Sequence, residues 1–271
     1  MKNNLKDKVV IITGASSGIG LALATQAYEQ GANIAVCARN EAKLKTAFEG
    51  FDANRVYLQS VDVSKEEECQ SFIENTQLKL GSIDILINNA GISMRALFED
   101  LDLDVLRKSM DINFWGTVYC THYALQDIKK NKGSIIGISS VAGFRGLPGR
   151  TGYAASKFAM QGFLETLRTE LLYKNVNVMW VAPGFTSSNI RNTALSADGS
   201  SQKETPLDES KLMSAEECAS IIWKGIHKKK RTVIMTLIGK STIFLNKFFP
   251  KFIDRMVFNH FAKEANSPLK K

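Results

Sequence analysis

The sequence predicts an α/β fold in which helices cover both faces of a seven-stranded parallel sheet. Short runs rich in β-branched residues alternate with longer amphipathic segments along most of the chain, which is the pattern of such sheets. A glycine-rich turn follows the first of these runs, where a phosphate-binding loop is expected. The length of 271 residues and the hydrophobic content of 44% suit one large domain with a full core.

The first strand and the turn after it form a candidate phosphate-binding loop. The strand is predicted at Lys8–Thr13, and glycine and serine residues dominate the turn that follows. Glycines let the backbone approach a pyrophosphate, and the N-terminus of the next helix offers free N–H groups. The spacing GxxxGxG differs from GxGxxG, so the order of strand, turn and helix carries the prediction. The apolar face of that helix consists of Leu21, Ala24, Ala27 and Tyr28.

The second strand, Asn33–Ala38, ends where an NAD site usually carries an acidic residue that holds the ribose hydroxyls. Here Ala38 is followed by Arg39. No carboxylate repels a 2′-phosphate at this point, and the guanidinium can bind one. We therefore predict NADP(H), with a solvent-facing Arg39 as the alternative.

The next elements lead to the middle of the sheet. A helix is predicted at Glu41–Phe48 and a third strand at Arg55–Val63. Ser64 and Glu67 have the spacing of a capping box for the following helix.

The fourth strand, Ile83–Ile87, ends in Asn88-Asn89-Ala90-Gly91. Small residues at this edge let a ring or a sugar lie close, although Asn89 also suits a turn. The helical stretch Asp102–Lys130 is then interrupted by Asn113 and Gly116. Because asparagine is a poor helix former, we predict a kink near Asn113.

A tyrosine and a lysine on one helix are the strongest candidates for chemistry. The fifth strand, Ser134–Ser139, precedes Ser140 and the helix Gly152–Lys174, which carries Tyr153 and Lys157. Residues four apart share a helix face, so the ammonium is expected to lower the tyrosine pKa. Such a tyrosine exchanges a proton with a substrate oxygen near neutral pH, and the serine hydroxyl can bind the same oxygen. Taken alone, the pair is also typical of an exposed helix surface.

The last part of the sheet follows a similar pattern. A polar segment, Phe185–Lys211, has the length of a lid or a binding loop. The other elements are a sixth strand at Asn177–Val181 followed by Ala182-Pro183-Gly184, a helix from a Ser214–Glu217 capping box to His227, and a seventh strand at Thr232–Leu237.

Composition limits the remaining classes of function. The four cysteines lack CxxC spacing and the three histidines form no HxxxH pattern, so we predict reduced thiols and no metal site. The start of the chain lacks the apolar segment of a signal peptide, which favours a cytoplasmic protein. The sequence contains no run of about 18 apolar residues, so we predict no membrane-spanning helix.

The C-terminal tail carries the basicity. The chain has a net charge of +8, but residues 224–271 hold 12 Lys/Arg against 2 Asp/Glu, so this segment alone contributes +10. We predict a domain at 1–238 and a basic, aromatic helical extension at 239–271, with Pro250 opening a new helix. Three interpretations remain open for Thr242–Ala262: packing on the core or on a partner subunit, contact with an anionic membrane surface, and an apolar wall for a lipophilic substrate. The tail carries no motif that recognises nucleic acid, so we predict no nucleic-acid partner.

Several of these motifs occur in the order and spacing of one known family. TGASSGIG, NNAG, Asn113, Ser140, YAASK and APG resemble the short-chain dehydrogenase/reductase family, from about Lys6 to Thr236. The resemblance implies a single Rossmann-type domain that transfers a hydride between a nicotinamide and a carbonyl or alcohol carbon. It also implies a homodimer or homotetramer.

The resemblance assigns roles to individual residues. Tyr153 would be the general acid/base, Lys157 would lower its pKa and bind the nicotinamide ribose, Ser140 would hold the substrate oxygen, and Asn113 would anchor a water that relays protons through Lys157. The implied cofactor contacts are Gly14, Ser16, Ser17, Gly18, Ile19 and Gly20 at the pyrophosphate, Arg39 at the 2′-phosphate, Asp62 and Val63 at the adenine, Asn89, Ala90 and Gly91 along the cofactor, Tyr153 and Lys157 at the ribose, and Pro183, Gly184 and Thr186 at the nicotinamide.

The predicted function is an NADP(H)-dependent oxidoreductase for a lipophilic carbonyl or alcohol. One alternative is a 3-oxoacyl-thioester reductase, for which Arg145, Arg150 and Arg191 would bind the phosphopantetheine-linked substrate. The non-enzymatic alternative is a sensor or scaffold that binds NADPH without turnover. Membrane-surface contact through residues 240–263 would make the cytoplasmic protein peripheral.

Overall fold

The computed structural model describes residues 4–186, 190–203, 212–264 and 266–270. The strands are β1 Val9–Thr13, β2 Asn33–Ala38, β3 Val56–Ser60, β4 Ile85–Asn88, β5 Ser134–Ile138, β6 Asn177–Ala182 and β7 Thr232–Ile234. They form one sheet in the order β3-β2-β1-β4-β5-β6-β7, and every neighbouring pair is parallel. The predicted seven-stranded parallel sheet is therefore confirmed.

Helices lie on both faces of this sheet. Their bounds are α1 Gly18–Glu29, α2 Glu41–Ala47, α3 Glu66–Leu80, α4 Leu103–Met110, α5 Gly116–Lys130, α6 Thr151–Glu170, α7 Ala215–His227, α8 Leu237–Phe248 and α9 Pro250–Ala262. Successive residues of β1 point to opposite faces, as in any strand. Val10 and Ile12 pack with α1, α2 and α7, whereas Val9 and Ile11 pack with α3, α5 and α6. Two buried apolar layers thus enclose the sheet.

The topology creates a crevice at one edge of the sheet. The chain runs from β1 outwards to β3 and then returns to β4 on the other side of β1. At such a reversal, the loops after the two adjacent strands diverge and leave a crevice at their carboxyl ends. The glycine-rich turn follows β1, and the segment Asn89–Gly91 follows β4, so both border this crevice.

The predicted capping box at Ser64 is wrong. The residue before α3 is Lys65, and no side chain caps this helix. The backbone N–H and the hydroxyl of Ser64 donate instead to Oδ1 of Asp62, at 3.0 and 2.8 Å. This local turn ends the extended segment, and β3 stops at Ser60 rather than at the predicted Val63. At α7 the prediction is confirmed, because Ser214 accepts a hydrogen bond from the backbone of Glu217 at 3.0 Å.

The predicted interruption of the long middle helix is confirmed. Residues Asp111–Trp115 form a π-helical turn between α4 and α5. Such turns arise where an extra residue widens the helix, and they are frequent at functional sites. Asn113 lies within the turn and is fully buried.

The C-terminal tail forms α8 and α9, and Pro250 opens α9 as predicted. Ile253, Val257 and Phe261 form a small apolar cluster with Leu245. Four other aromatic residues of the tail contribute little to the core of this chain, because they are between 59% and 63% exposed: Phe244, Phe248, Phe249 and Phe252. The interpretation that these rings pack on the chain's own core is therefore wrong for the described structure. No helix within the described ranges is long and apolar enough to cross a membrane.

Candidate active site

A cavity of about 510 Å³ opens at the carboxyl ends of the strands. It is bordered by the turn after β1, the ends of β2 and β4, the start of α6 and the segment after β6. Among the residues predicted to act in catalysis or to bind a cofactor, Asn113 is the exception that does not line it. The others all line it: Gly14, Ser16, Ser17, Gly18, Ile19, Gly20, Arg39, Asp62, Val63, Asn89, Ala90, Gly91, Ser140, Tyr153, Lys157, Pro183, Gly184 and Thr186.

The glycine turn is shaped by close backbone contacts. Gly14 has a φ of +68°, and a Cβ atom there would lie 2.8 Å from Cα of Ala90. A Cβ atom on Gly20 would lie 2.4 Å from the carbonyl oxygen of Gly14. Only glycine fits these two positions, and the result is a cradle free of side chains that borders the cavity at the N-terminus of α1.

Asn89 holds the cradle against β4. Its Nδ2 donates to the carbonyl oxygens of Thr13 and Gly14 at 2.9 and 3.1 Å. The Thr13 hydroxyl in turn accepts from the backbone of Asn89 and Ala90 at 3.0 and 2.9 Å. The structure thus gives Asn89 a turn-stabilising contact in addition to its place in the cavity wall.

The far end of the cavity is basic. Arg39 follows β2, and Asn40 and Lys43 line the same end. Asn40 caps α2 by accepting from the backbone N–H of Lys43 at 2.8 Å. Lys43 was not predicted from the sequence. Its position four residues after Arg39, within the first turn of a helix, was the signal that could have indicated it.

Three of the four predicted catalytic residues converge at the opposite end. Ser140 follows β5, and Tyr153 and Lys157 lie on the first turns of α6. The choice of Ser140 over its neighbour is supported by the side-chain directions. Ser139 is buried and accepts from Nε2 of Gln161 at 2.7 Å, whereas Ser140 accepts from the backbone N–H of Ala142 at 3.2 Å and lies close enough to Tyr153 to lower its pKa.

The pKa of Tyr153 is raised, and the prediction that Lys157 lowers it is wrong for this structure. Burial raises the pKa most, while the hydrogen bond from Ser140 and the charge of Arg150 lower it. Lys157 Nζ lies 5.8 Å from the centroid of the Tyr153 ring and donates to the carbonyl oxygen of Ile138 at 2.8 Å. Its ammonium is thus directed to the backbone of β5 rather than to the phenol.

Lys157 is itself strongly affected by its surroundings. Its side chain is buried, with 3% exposed, and burial lowers its pKa to about 7. A lysine in this state gains or loses a proton near neutral pH. It can therefore relay protons as well as donate hydrogen bonds.

The sequence model of the short chain dehydrogenase family matches residues 8–199. The chain belongs to the short-chain dehydrogenase/reductase family. It is an oxidoreductase whose fold binds a nicotinamide cofactor.

Relatives of this short-chain dehydrogenase/reductase cover nearly the whole chain. An 11-beta-hydroxysteroid dehydrogenase-like 4A of Arabidopsis thaliana is 39% identical over 250 residues, which are 91% of this chain and 82% of the relative. A dehydrogenase/reductase SDR family protein 7-like of Dictyostelium discoideum is 33% identical over 279 residues, covering 100% of this chain and 85% of the relative.

Solved structures support the fold. A short-chain dehydrogenase/reductase from Burkholderia phymatum in complex with NAD has a TM-score of 0.82 at 20% identity, covering 93% of this chain and 96% of that one. An alcohol dehydrogenase from Thermococcus sibiricus complexed with 5-hydroxy-NADP has a TM-score of 0.73 at 22% identity, covering 84% and 95%.

Asn113 of this short-chain dehydrogenase/reductase lies behind the cavity wall. Its Oδ1 accepts from the backbone of Ile92 at 2.8 Å, and its Nδ2 donates to the Ile92 carbonyl and to the Ser156 hydroxyl at 3.0 and 2.9 Å. A Cβ atom on Gly91 would meet both Asn113 Oδ1 and Lys157 Nζ, at 2.9 and 3.4 Å. The asparagine and the lysine thus converge on one backbone position.

The substrate end of the cavity includes residues that the sequence did not indicate. Arg95, Leu147 and Gln202 line it, together with Arg150 and Arg191. No motif carries these positions, because they come from separate loops. Arg145, the third arginine considered for a thioester substrate, does not line the cavity and donates to Asp254 of α9 at 2.6 Å.

The predicted loop Phe185–Lys211 lies partly outside the described residues, at 187–189 and 204–211. Its described part packs over the segment after β4. Leu195 of the loop forms two backbone hydrogen bonds with this segment. The N–H of Arg95 donates to the Leu195 carbonyl at 2.8 Å, and the N–H of Leu195 donates to the Ser93 carbonyl at 2.9 Å. The loop therefore forms one wall of the substrate end.

Proposed function

We propose that this protein is an NADP(H)-dependent oxidoreductase for lipophilic carbonyl or alcohol compounds. The observation that carries the proposal is the convergence of Ser140, Tyr153 and Lys157 at one end of a cavity that has a glycine cradle in its middle. The cradle suits a dinucleotide because the tight packing at Gly14 and Gly20 excludes side chains there, so that a pyrophosphate can approach the backbone at the N-terminus of α1. Bound NADPH supplies the hydride.

In this proposal, Tyr153 delivers a proton to the substrate oxygen as negative charge develops on it. Ser140 donates a hydrogen bond to the same oxygen and thereby stabilises the charge. Lys157, with a pKa of about 7, would hold the nicotinamide ribose when the cofactor is bound and can supply a proton for Tyr153 near neutral pH. Asn113 holds the backbone at Ile92, next to Gly91, where a Cβ atom would lie 3.4 Å from Lys157 Nζ; this proximity supports its predicted part in the relay.

The preference for NADP(H) rests on the basic end of the cavity. β2 ends in Ala38, and Arg39 and Lys43 line the position where an NAD site usually carries an acidic residue. Two cations there attract a 2′-phosphate and gain nothing from a 2′-hydroxyl.

We expect Arg39→Ala to raise the KM for NADPH by roughly tenfold to a hundredfold, because a hydrogen bond to a charged group contributes about 1.5–3 kcal/mol. The KM for NADH should change little. Initial rates with each cofactor measure this ratio. Arg107→Ala is the matched control, since Arg107 is exposed on α4 and pairs with Asp104. If Arg39→Ala raised the KM for NADPH and the KM for NADH equally, Arg39 would have a general structural role and would not support a preference for NADP(H).

The substrate class rests on the apolar part of the wall. Ile92, Leu147, Phe185, Ile190 and Ala194 line the cavity beyond Tyr153. Relatives named as hydroxysteroid dehydrogenases add support for a large, flat apolar substrate. The thioester alternative is weakened, because one of its three arginines lies outside the cavity and another, Arg150, pairs with Glu264.

The test is NADPH oxidation with ketones and aldehydes of rising apolar size, beside a 3-oxoacyl thioester. We expect kcat/KM to rise with apolar size up to the dimensions of a steroid and to be low for the thioester. A clear preference for the thioester would favour the alternative reductase. Tight NADPH binding with no turnover of any carbonyl would favour the sensor or scaffold.

We further propose that the tail contacts an anionic membrane surface and makes the cytoplasmic protein peripheral. Phe244 and Phe248 lie one turn apart on α8 with ring centroids at 5.2 Å, and Phe252 is exposed on α9. Exposed lysines flank them, at Lys240, Lys247 and Lys251. Apolar rings with neighbouring cations complement a surface of anionic lipid.

The variant Phe248→Glu/Phe252→Glu is expected to reduce binding to vesicles of mixed phosphatidylcholine and phosphatidylserine by at least about tenfold, through lost apolar burial and added repulsion. Co-sedimentation measures the bound fraction. Leu78→Glu/Tyr173→Glu is the control, because Leu78 on α3 and Tyr173 just after α6 are both highly exposed. If the two double variants pellet equally, the aromatic face does not bind lipid; a change of oligomeric state in the first variant would then assign the face to a second copy.

We also infer a homo-oligomer through α5 and α6. Trp115, the residue before α5, and Phe158, two turns into α6, are 43% and 47% exposed, and an apolar partner surface would bury them.

A further inference from the structure

The last residues of the chain enclose a buried ion cluster beside the candidate active site. Glu264 follows α9, and its Oε2 lies 3.2 Å from Nη2 of Arg95 and 3.7 Å from Nη2 of Arg150. The three side chains are 6%, 8% and 12% exposed, in that order. A carboxylate buried to this extent requires charged partners. Two guanidinium groups that line the cavity thus share one carboxylate from the tail.

Independent contacts fix this tail to the segment that leads into α6, residues 144–150. Arg145 donates to Oδ1 of Asp254 on α9 at 2.6 Å. Leu147 packs against the apolar cluster of α9. The Arg150 guanidinium lies 5.5 Å from the centroid of the Phe261 ring. The tail is therefore docked on the loop whose end carries the catalytic helix.

Arg150 connects the cluster with the candidate acid/base. It is the last residue before α6, three positions ahead of Tyr153, and both residues line the cavity. Its Nη1 donates to the carbonyl oxygen of Met94 at 3.1 Å, and Met94 belongs to the apolar cluster against which Tyr153 packs. The positive charge of Arg150 lowers the pKa of Tyr153, against the larger effect of burial.

The charges around Tyr153 are mostly basic. Arg150 directly precedes α6 and Lys157 lies on it, while Arg95 from the segment after β4 and Arg191 from the loop after β6 line the same cavity and act on the charge of Arg150. Glu264 is the acidic residue that pairs within this group in the described part of the chain.

We propose that Glu264 is a positioning residue for Tyr153. It holds the Arg150 guanidinium near the tyrosine and, by compensating one of two adjacent positive charges, limits how strongly they favour the phenolate. The inference rests on the proposed acid/base role of Tyr153, and it makes the C-terminal tail part of the catalytic environment.

The test compares pH–rate profiles of NADPH-dependent reduction. Reduction requires a protonated tyrosine, so the rate falls as the pH rises through the tyrosine pKa. Glu264→Gln removes a negative charge and should move this fall to lower pH by about one unit. Arg150→Met removes a positive charge and should move it to higher pH by a similar amount. The double variant Arg95→Gln/Glu264→Gln removes one charge of each sign and should restore the wild-type midpoint.

The proposal is supported if the pH midpoints of the two single variants shift in opposite directions and the double variant has the wild-type midpoint. Shifts of the same sign, or unchanged midpoints in variants that retain the wild-type Tm, overturn it. If Glu264→Gln does not fold, Arg150→Met and the charge-balanced double variant decide alone. Tyrosinate absorbance, measured for each protein against its Tyr153→Phe counterpart, gives the same midpoints without turnover. It separates failure of this inference from failure of the proposed reaction.

Discussion

Replacing Tyr153 by phenylalanine is expected to lower kcat by about 10²- to 10⁴-fold, which is the usual contribution of a general acid or base. The substitution removes only the hydroxyl that would give the proton to the substrate oxygen. The ring can keep its packing against Met94 and Ala96, so the fold should not change. NADPH should bind with nearly unchanged Kd, because the glycine cradle and the basic end of the cavity are untouched.

Single-turnover rates and cofactor fluorescence measure the two halves of this prediction. Tyr173→Phe serves as the control, since that tyrosine is 91% exposed, just after α6 and outside the cavity. Turnover within a few-fold of wild type in Tyr153→Phe would remove Tyr153 from the mechanism. A large loss of NADPH affinity would instead assign its hydroxyl mainly to cofactor binding.

The sequence predicted the sheet well because its strands are buried on both faces. Runs such as Val9–Thr13 and Asn33–Ala38 are apolar at almost every position, and the structure places both as central strands. Gly14, Tyr153 and Lys157 were also predictable, because a turn or a helix alone fixes their spacing. A few consecutive residues are enough to determine local geometry of this kind.

Three features that the sequence did not predict have a different origin. Ser64 has the spacing of a helix cap, but its hydroxyl is satisfied by Asp62, which competes for the same short-range hydrogen bond. Glu264 meets Arg95 across 169 positions of sequence, and no local pattern signals such a pair. The surroundings of Tyr153 were mispredicted for the same reason: helix spacing brings Lys157 near, but burial and Arg150 decide the direction of the pKa shift.

Replacing Lys157 by methionine should stabilise the cofactor-free protein at neutral pH while lowering its activity. The ordinary pKa of 10.5 applies to Lys157 in the unfolded chain, and burial lowers it to about 7 in the folded one. Between these values the unfolded chain holds a proton that the folded chain lacks, so wild-type stability falls as the pH falls from about 10 to about 7. The full span corresponds to roughly 4–5 kcal/mol. The loss of the hydrogen bond to Ile138 offsets about 1 kcal/mol of the gain.

Denaturant unfolding at a series of pH values measures this difference. The stability of Lys157→Met relative to wild type should increase from about pH 10 down to about pH 7 and then level off, because both states of the wild type are protonated at lower pH. Lys108→Met, an exposed change on α4, should run parallel to wild type. A parallel curve for Lys157→Met would mean that burial does not depress the lysine pKa. The increase, together with reduced turnover, would show that this enzyme keeps a destabilising buried amine because the reaction needs it.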